Sequence, residues 1–430
     1  MKSLLVSLLS WLAARIVARY RPTVIGITGS VGKTSTKDAV FAVLSHRFRV
    51  RRSRKNYNTE FGLLLTIIGV DSPGRNPFGW MGVLLRASGL LLFREAYPEI
   101  LVLEFGVDRP GDMARHLAVV QPKIGVLTAI SPAHLSQFAS FEDYAAEKEL
   151  LITALPADGL AVINADVPRA AAAQSKAPCP ATTYGLAPEA DLRAIALEPK
   201  LDRPRGSDGI AVTGMTFKIS WQGQIVPVFL REAISAPAAG SALAAVAVGM
   251  RLGMNVLDCA EGLDTFVPPP GRMRVIPGIK YTTLIDDTYN SSPLAASEAL
   301  RTLAAIELDE DDRRIAVFGD MLELGPASEK LHTDLGAETH SCGVDLLVTA
   351  GERARDIARG ARDAGMNANA IQQFATPEEA GKWIQNQIKI GDVLLVKGSQ
   401  GARMEKVVKE LMAEPLRAPQ VLVRQDPPWL

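Results

Sequence analysis

The chain has 430 residues, 47% of them hydrophobic, and its formal net charge at pH 7 is zero. This length exceeds one ordinary hydrophobic core and predicts two or three domains. The composition is typical of a globular protein and argues against a disordered chain or one that coats nucleic acid, so no nucleic-acid partner is expected. Cys179, Cys259 and Cys342 have no C-x-x-C spacing, which predicts a cytoplasmic protein without disulfides or a zinc knuckle.

Residues 1–20 predict an amphipathic helix, because leucine and isoleucine recur on one face between Leu5 and Ile16. The uncharged run at 3–14 is shorter than the roughly 18–20 residues of a membrane span, and no small-residue cleavage site follows it. Three interpretations stay open: a helix packed on the body, which is preferred, a helix at a membrane interface, or a true anchor. The protein is therefore predicted to be cytoplasmic, with membrane association left open.

Apolar strands then alternate with helical stretches, which predicts a doubly wound, mostly parallel sheet. The predicted strands are 24–27, 101–103, 124–127 and 160–164. Residues 210–230 alternate between apolar and polar and predict an antiparallel extension at the sheet edge. An alanine-rich helix is predicted from Gly240 to Leu252.

Residues 268–271, with the sequence PPPG, form the clearest linker. The α/β alternation restarts beyond it, with predicted strands at 283–285, 315–318, 346–348 and 393–396. We therefore predict an apolar helix at 1–22, a central domain at 23–271 with an insertion at 73–97, and a Rossmann-like domain at 272–430.

The segment TGSVGKTS, residues 28–35, lies between a predicted strand and a predicted helix. Glycines let the backbone wrap around phosphate, and helix N-terminal amides point at the anion. Lys33 would place a positive charge beside the β and γ phosphates, and the hydroxyl of Thr34 suits a Mg²⁺ ligand. The chain has Ile27 where the strict signature has glycine, so this is a variant loop. The predicted nucleotide contacts are Gly29, Ser30, Val31, Gly32, Lys33, Thr34 and Ser35.

Further blocks resemble those of the Mur ligase family, in the family's order. The loop resembles G-x-T-G-[ST]-x-G-K-[ST], and it is followed by KNYNTEFG (55–62), LEFGVDRPGD (103–112) and SPAHLSQF (131–138). The last domain has IDDTYNSSP (285–293), VFGDMLELG (317–325) and VLLVKGSQG (393–401), which most resemble the branch that adds D-alanyl-D-alanine. The resemblance implies a P-loop central ATPase domain of α/β class followed by a Rossmann-like C-terminal domain.

The resemblance also implies an ATP-dependent amide-bond ligase that works through an acyl phosphate and adds an amino acid or D-alanyl-D-alanine to a peptidoglycan-type peptide. The expected partners are a peptide or muramyl-peptide donor and an amino-acid or dipeptide acceptor. Three alternatives stay open: a ligase that extends another peptide or a polyglutamate-like chain, an inactive nucleotide-binding partner subunit, and a simple P-loop ATPase or kinase.

Lys33, Glu104, His134 and Lys148 are the predicted catalytic residues. Glu104 ends a predicted strand, where an α/β sheet presents a metal-ligating carboxylate, and His134 can add a neutral nitrogen ligand. Glu104 and His134, together with Thr34 and Lys148, would hold two Mg²⁺ ions. The resemblance implies that Lys148, fourteen residues past His134, is carbamylated by CO₂. Plainer alternatives stay open for three of these residues: Glu104 as a surface acid, His134 as a core histidine and Lys148 as a solvated lysine.

The resemblance implies further contacts for both substrates. The predicted nucleotide contacts of the last domain are Arg272, Asp287, Tyr289 and Asn290. The predicted peptide contacts are Asn56, Asn58, Thr59, Lys397, Ser399 and Gln400. The family's UDP-binding N-terminal domain has no counterpart among the roughly two dozen residues before the loop, so UDP is expected to be bound differently or the donor to lack it.

The helix at 1–20 and the insertion, above all residues 80–97, are both apolar. We predict that they pack against each other and leave apolar surface for a peripheral contact with a membrane or another protein. Trp80 and Tyr97 bracket the insertion, as aromatic residues at a membrane interface do.

Overall fold

The structure, a computed structural model, describes residues 2–53, 60–131, 137–202, 211–426 and 429. The chain divides into two compact units. The first comprises Met1–Leu197, Phe217–Phe229 and Ala236–Phe266, and the second comprises Glu198–Thr216, Leu230–Ser235 and Val267–Leu430. The domain limits predicted at residues 22 and 271 stay predictions.

A nine-stranded sheet organises the first part of the chain, in the order β2-β3-β1-β4-β5-β6-β7-β8-β9. Its strands are β1 (Thr23–Thr28), β2 (Val50–Arg52), β3 (Ile100–Glu104), β4 (Ile124–Leu127), β5 (Leu160–Asn164), β6 (Ala181–Gly185), β7 (Leu192–Asp202), β8 (Ala211–Trp221) and β9 (Gln224–Arg231). The pairs from β2 to β7 are parallel, which confirms the predicted parallel sheet. β8 and β9 lie at the edge where an extension was predicted.

The helices of this region are α1 (Lys2–Tyr20), α2 (Lys33–Ser45), α3 (Glu60–Ile68), α4 (Pro77–Leu92), α5 (Asp112–Val119), α6 (Phe141–Thr153), α7 (Pro168–Ala171), α8 (Ala236–Arg251) and α9 (Val256–Leu263). The helix predicted from Gly240 is α8, which begins earlier, at Ala236. Pro237 fits there because the first helical turn needs no amide donor.

The N-terminal helix packs on the first unit, as preferred from the sequence. Leu9, Leu12 and Ile16 of α1 are buried in a core cluster that also holds Leu90 of α4. The Tyr20 hydroxyl donates to the Leu90 carbonyl at 3.0 Å. The predicted packing of α1 on the insertion is therefore confirmed. Within the described ranges, no helix is long and apolar enough to cross a membrane.

The interfacial interpretation of Tyr97 is wrong. Its ring is buried and stacks on Tyr20 with centroids 4.4 Å apart. Its hydroxyl donates to the Ile67 carbonyl at 2.6 Å. Tyr97 is thus part of the core between α1 and α3, where its buried hydroxyl has the Ile67 carbonyl as a hydrogen-bond partner.

The second unit has a six-stranded sheet in the order β10-β11-β15-β12-β13-β14. Its strands are β10 (Arg274–Pro277), β11 (Thr283–Asp287), β12 (Arg314–Gly319), β13 (Leu346–Ala350), β14 (Ile371–Phe374) and β15 (Val393–Lys397). Its helices are α10 (Pro293–Ala304), α11 (Ser328–Ser341), α12 (Ala354–Asp363), α13 (Pro377–Gln387), α14 (Glu405–Leu411) and α15 (Ala418–Val421). All pairs are parallel except β10 with β11. The carboxyl ends of β11, β15 and β12 therefore meet at one edge.

Candidate active site

The predicted phosphate loop joins β1 to α2 and is held by the end of β4. Gly32 has a φ of 88°, which favours glycine, and it directly precedes α2. The Thr128 hydroxyl donates to the Val31 carbonyl at 2.6 Å, and the Ser30 amide donates to the Ala129 carbonyl at 2.7 Å. These bonds fix the loop in front of the N-terminus of α2, where backbone amides attract an anion.

Lys33, the first residue of α2, lies over its own loop. Its ammonium donates to the Gly29 carbonyl at 2.7 Å and to the Ser30 carbonyl at 3.4 Å. The side chain is half-buried, and Val31 at the loop tip is exposed. The charge of Lys33 is thus at the mouth of the loop, where a bound phosphate would take over these contacts.

Glu104, at the end of β3, meets both Thr34 and a lysine of α2. Glu104 Oε2 lies 3.5 Å from the Thr34 hydroxyl, and Oε1 lies 2.9 Å from the ammonium of Lys37. Glu104 and Lys37 are both buried, so the alternative that Glu104 is a surface acid is wrong. Sequence reasoning missed Lys37, although it follows Lys33 by one helical turn and so lies on the same face.

Replacing Lys37 with methionine should lower the free energy of unfolding by about 3–5 kcal/mol, because Glu104 would be left as a buried charge without its partner. Chemical denaturation at neutral pH measures this loss. The double variant Lys37→Met, Glu104→Gln should recover much of it. In the matched control Lys123→Met, which breaks an exposed ion pair with Asp158, the loss should stay under about 1 kcal/mol. An equally small loss for Lys37→Met would contradict a structural role for the pair.

Lys148 of α6 is buried, 1% exposed, against the ring of Tyr144 at 4.4 Å. Burial lowers the pKa of its ammonium well below the ordinary value, and the nearby charge of Lys33 lowers it further. The carboxylates of Asp108, Glu147 and Asp112 act against this shift. The alternative of a solvated lysine is therefore wrong, and the neutral amine is favoured.

A hydrogen-bonded chain ties α6 to the phosphate loop. The Tyr144 hydroxyl donates to the Ser30 hydroxyl at 3.1 Å, and Ser30 donates to the Ser131 carbonyl at 2.9 Å. The structure thus brings Lys33, Thr34, Glu104 and Lys148 into one region of the first unit. Sequence reasoning assigned no role to Asp108, although it lies in the quoted block at 103–112.

In the second unit the predicted blocks meet at the edge formed by β11, β15 and β12. Lys397 pairs with Asp287 at 2.5 Å and donates to the Asn290 carbonyl at 3.0 Å. The Ser399 hydroxyl donates to the Ser291 carbonyl at 3.2 Å and accepts from the Leu322 amide at 2.9 Å. These hydrogen bonds therefore connect the loops that follow β11, β12 and β15.

Arg272 and Tyr289 are also brought together, with the guanidinium 3.9 Å from the ring centroid. Arg424, which sequence reasoning missed, donates to the carbonyls of Thr288 and Tyr289 and pairs with Glu405 at 3.0 Å. Asn290 and Gln400 are exposed. The loop after β11 is thus supported from two sides and presents Asn290 to solvent.

Two buried groups near this edge have structural partners. His332 accepts a hydrogen bond from the Met321 amide at Nε2 and contacts the Ser328 carbonyl through Nδ1 at 2.7 Å. Asp286 accepts from the Gly271 amide at 2.9 Å and from Thr288, and burial raises its pKa to about 6. Asp286 therefore joins the predicted linker to the loop after β11.

Some of the predicted site lies outside the described residues: Asn56, Asn58, Thr59 and His134. Among the described residues, no group of three or more His, Cys, Asp or Glu side chains is arranged to hold a metal ion. Of the predicted metal ligands, Thr34 and Glu104 converge, with their side-chain oxygens 3.5 Å apart.

Comparisons with known proteins agree with this arrangement. The model of the Mur ligase middle domain matches residues 81–224, and that of the Mur ligase, glutamate ligase domain, matches residues 271–400. The UDP-N-acetylmuramoyl-tripeptide–D-alanyl-D-alanine ligase of Mycobacterium tuberculosis is 30% identical, over 95% of this chain and 76% of that protein. The Bacillus subtilis enzyme of the same name is 28% identical, over 91% of this chain and 76% of that protein.

Among solved structures, the MurF ligase of Thermotoga maritima in complex with ADP has a TM-score of 0.72 and 25% identity, over 94% of this chain and 83% of that one. Fold, site and sequence therefore agree across most of the chain. The chain belongs to the Mur ligase family, and it is an ATP-dependent ligase that joins an acid to an amine.

Proposed function

We propose that this ligase joins D-alanyl-D-alanine to the peptide of a muramyl tripeptide, with ATP as the energy source. The names of the Mycobacterium and Bacillus relatives support this donor and acceptor. The observation that carries the proposal is the set of contacts at the carboxyl ends of β11 and β15, made by Asp287, Lys397 and Ser399. These residues lie in the sequence blocks that most resemble the D-alanyl-D-alanine-adding branch.

The reaction proceeds in two balanced steps. A carboxylate oxygen of the donor attacks the γ-phosphorus of ATP, and the bond to the bridging oxygen breaks to give an acyl phosphate and ADP. The acceptor amine then attacks the acyl carbon, loses a proton and expels phosphate. Positioning and positive charge are the main catalytic contributions to such a transfer. Lys33 supplies charge at the γ-phosphate, and the amides of the loop hold the β-phosphate.

Mg²⁺ fits the described donors. A hydroxyl and a carboxylate are the hard oxygen ligands that it prefers, and Glu104 turns Oε2 toward Thr34 while Lys37 holds Oε1. Mg²⁺ bound there would neutralise charge on the phosphates. We place a second ion at Lys148 in its carbamylated form. The lowered pKa of the Lys148 amine supports this, since only the neutral amine reacts with CO₂.

Two further assignments stay proposals. A cytoplasmic location accords with the three free cysteine thiols. A peripheral contact with a membrane or another protein, through residues 1–20 and 80–97, is supported by the exposed apolar side chains of these segments.

The decisive experiment measures ADP release and product mass together. The purified chain with Mg²⁺ and ATP is given UDP-linked muramyl tripeptide or the same peptide without UDP, crossed with D-alanyl-D-alanine, L-alanyl-L-alanine and glutamate. We expect ADP release only with D-alanyl-D-alanine, and a donor heavier by one dipeptide minus water. The arm without UDP reports whether the nucleotide is recognised.

Other outcomes select other functions. ADP release without any acceptor would identify a simple ATPase, and extension by glutamate would identify a polyglutamate-type ligase. A chain that binds ATP but releases no ADP under any combination would be an inactive partner subunit, and the proposal would be wrong.

A further inference from the structure

Helix α4 exposes a continuous apolar face. Phe78, Met81 and Leu85 are 87%, 57% and 66% exposed, and Leu92 is 74% exposed at the end of the helix. Gly82 and Gly89 lie on the same side, where an added Cβ would meet no atom within 4 Å. The opposite side, with Val83, Ala87 and Leu90, is buried in the core. The exposed side of this helix is therefore as apolar as its packed side, which is unusual for a surface helix.

Helix α1 packs beside α4 and also exposes apolar side chains. Leu4, Leu8 and Trp11, spaced at one helical turn, are 76%, 44% and 54% exposed. The ends of the two helices are joined, because the Tyr20 hydroxyl also contacts the Phe93 carbonyl at 3.2 Å, and Phe93 itself is 67% exposed. We call the exposed apolar residues of the two helices and of the residue after α4 the apolar platform: Leu4, Leu8, Trp11, Phe78, Met81, Leu85, Leu92 and Phe93. Patches of this kind rarely lack an occupant.

Basic residues outnumber acidic ones in and around the segments that carry the platform. Residues 1–21 contain four basic residues and no acidic one, and residues 72–94 contain three basic residues and no acidic one. Asp71 and Glu95 lie directly outside the second of these ranges, and Glu95 pairs with Arg86 at 2.5 Å. The whole chain is neutral, so this basic charge is a local excess. Apolar side chains within a basic surround are the composition of helices that lie in the interface of an anionic bilayer.

A second copy of the chain fits this surface less well. Two identical platforms placed face to face would bring like charges together, which opposes association. An anionic lipid surface instead satisfies both features, because the acyl region takes the apolar side chains and the headgroups take the guanidinium groups. Trp11 suits the boundary between them.

We propose that the apolar platform docks the ligase on the surface of an anionic bilayer, with α1 and α4 lying in the interface. This inference is independent of the identity of the donor and acceptor. It places the phosphate loop and Lys148 in a unit that is held at the membrane, without any helix crossing it.

Vesicle flotation of the full chain tests the proposal, with phosphatidylglycerol–phosphatidylcholine vesicles compared with pure phosphatidylcholine. We expect flotation only with the anionic vesicles, and a weaker association at high salt. The triple variant Phe78→Ser, Met81→Ser, Leu85→Ser should bind at least about tenfold more weakly. The matched control changes three exposed leucines of other surfaces, Leu257, Leu294 and Leu416, to serine and should bind like the unchanged chain.

The variant Arg19→Gln, Arg94→Gln separates charge from apolar contact and should weaken anionic binding and its salt dependence. Equal binding to neutral vesicles would overturn the role of anionic lipid. A chain that does not float, but forms a dimer that the triple variant dissolves, would assign the platform to a second copy. A folded chain that neither floats nor dimerises overturns the proposal. No nucleotide is present, so these results do not depend on ligase activity.

Discussion

Replacing Lys33 with alanine should reduce ligation by about 10²–10³-fold, the usual effect of removing one electrostatic group that acts on developing charge. The fold should survive, because the side chain is half-buried and its ammonium donates to the Gly29 and Ser30 carbonyls of its own loop. Initial rates of ADP release measure the activity, and thermal unfolding shows whether the variant is intact.

The control for this prediction is Lys33→Arg, which keeps a positive charge but replaces a compact ammonium with a larger planar group. It should retain more activity than alanine but less than lysine. The loss in Lys33→Ala should be larger for ATP-dependent turnover than for ADP binding, since the missing charge faces the γ-phosphate. Near-normal ligation by Lys33→Ala would remove the phosphate loop from the mechanism.

Replacing Lys148 with alanine should also abolish most of the ligation, and small carboxylates or chloride should restore part of it if the lysine acts as a carbamate. Carbamylation needs the neutral amine. Because burial and Lys33 lower the pKa of Lys148, more of the amine is neutral at a given pH than in a solvated lysine, and the carbamate should increase further as pH rises. Removing CO₂ from the unchanged protein should imitate the substitution, and bicarbonate should reverse it.

A carbon-13 bicarbonate spectrum gives a readout separate from activity, with a carbamate signal expected in the native chain and absent from Lys148→Met. Methionine is the matched control for volume, and it should leave the protein at least as stable, because it removes a group that loses its charge on burial. Ordinary kinetics in both variants would make Lys148 a buried lysine without a catalytic part. Loss of activity without rescue and without a carbamate signal would make its role structural.

The phosphate loop, its strand and its helix could be predicted because their signals are local. Apolar residues at 24–27, glycines at 29 and 32, and Lys33 follow one another in the sequence, and β1 and α2 begin where expected. The burial of Lys148 could not be predicted, because α6 reads as a solvated helix with several charged residues. Its position depends on how α6 packs beside β1 and β4, and the sequence of the helix does not contain that information.

Two of the strands that were not predicted have a similar explanation. β2 is only Val50–Arg52, with two arginines, and β7 runs from Leu192 to Asp202 with a proline and several charged residues. Neither has a buried-strand pattern of its own, and both exist because a neighbouring strand offers hydrogen bonds. The roles of Lys37 and Arg424 were missed for a related reason, since their acidic partners lie on other elements.

The buried pair of Lys37 and Glu104 has a consequence for the evolution of such enzymes. A change at Lys37 alone would leave Glu104 without its cationic partner, and a change at Glu104 alone would leave Lys37 with Asp38, 3.7 Å away. We therefore expect selection to keep both residues even in a descendant that had lost its chemistry. A glutamate at the position of Glu104 in a relative is therefore weak evidence that the relative is active. Lys148 is different, because its burial opposes its own charge and a descendant with no use for it would gain stability by replacing it. We therefore expect a lysine at this position to separate active from inactive homologues better than the glutamate does.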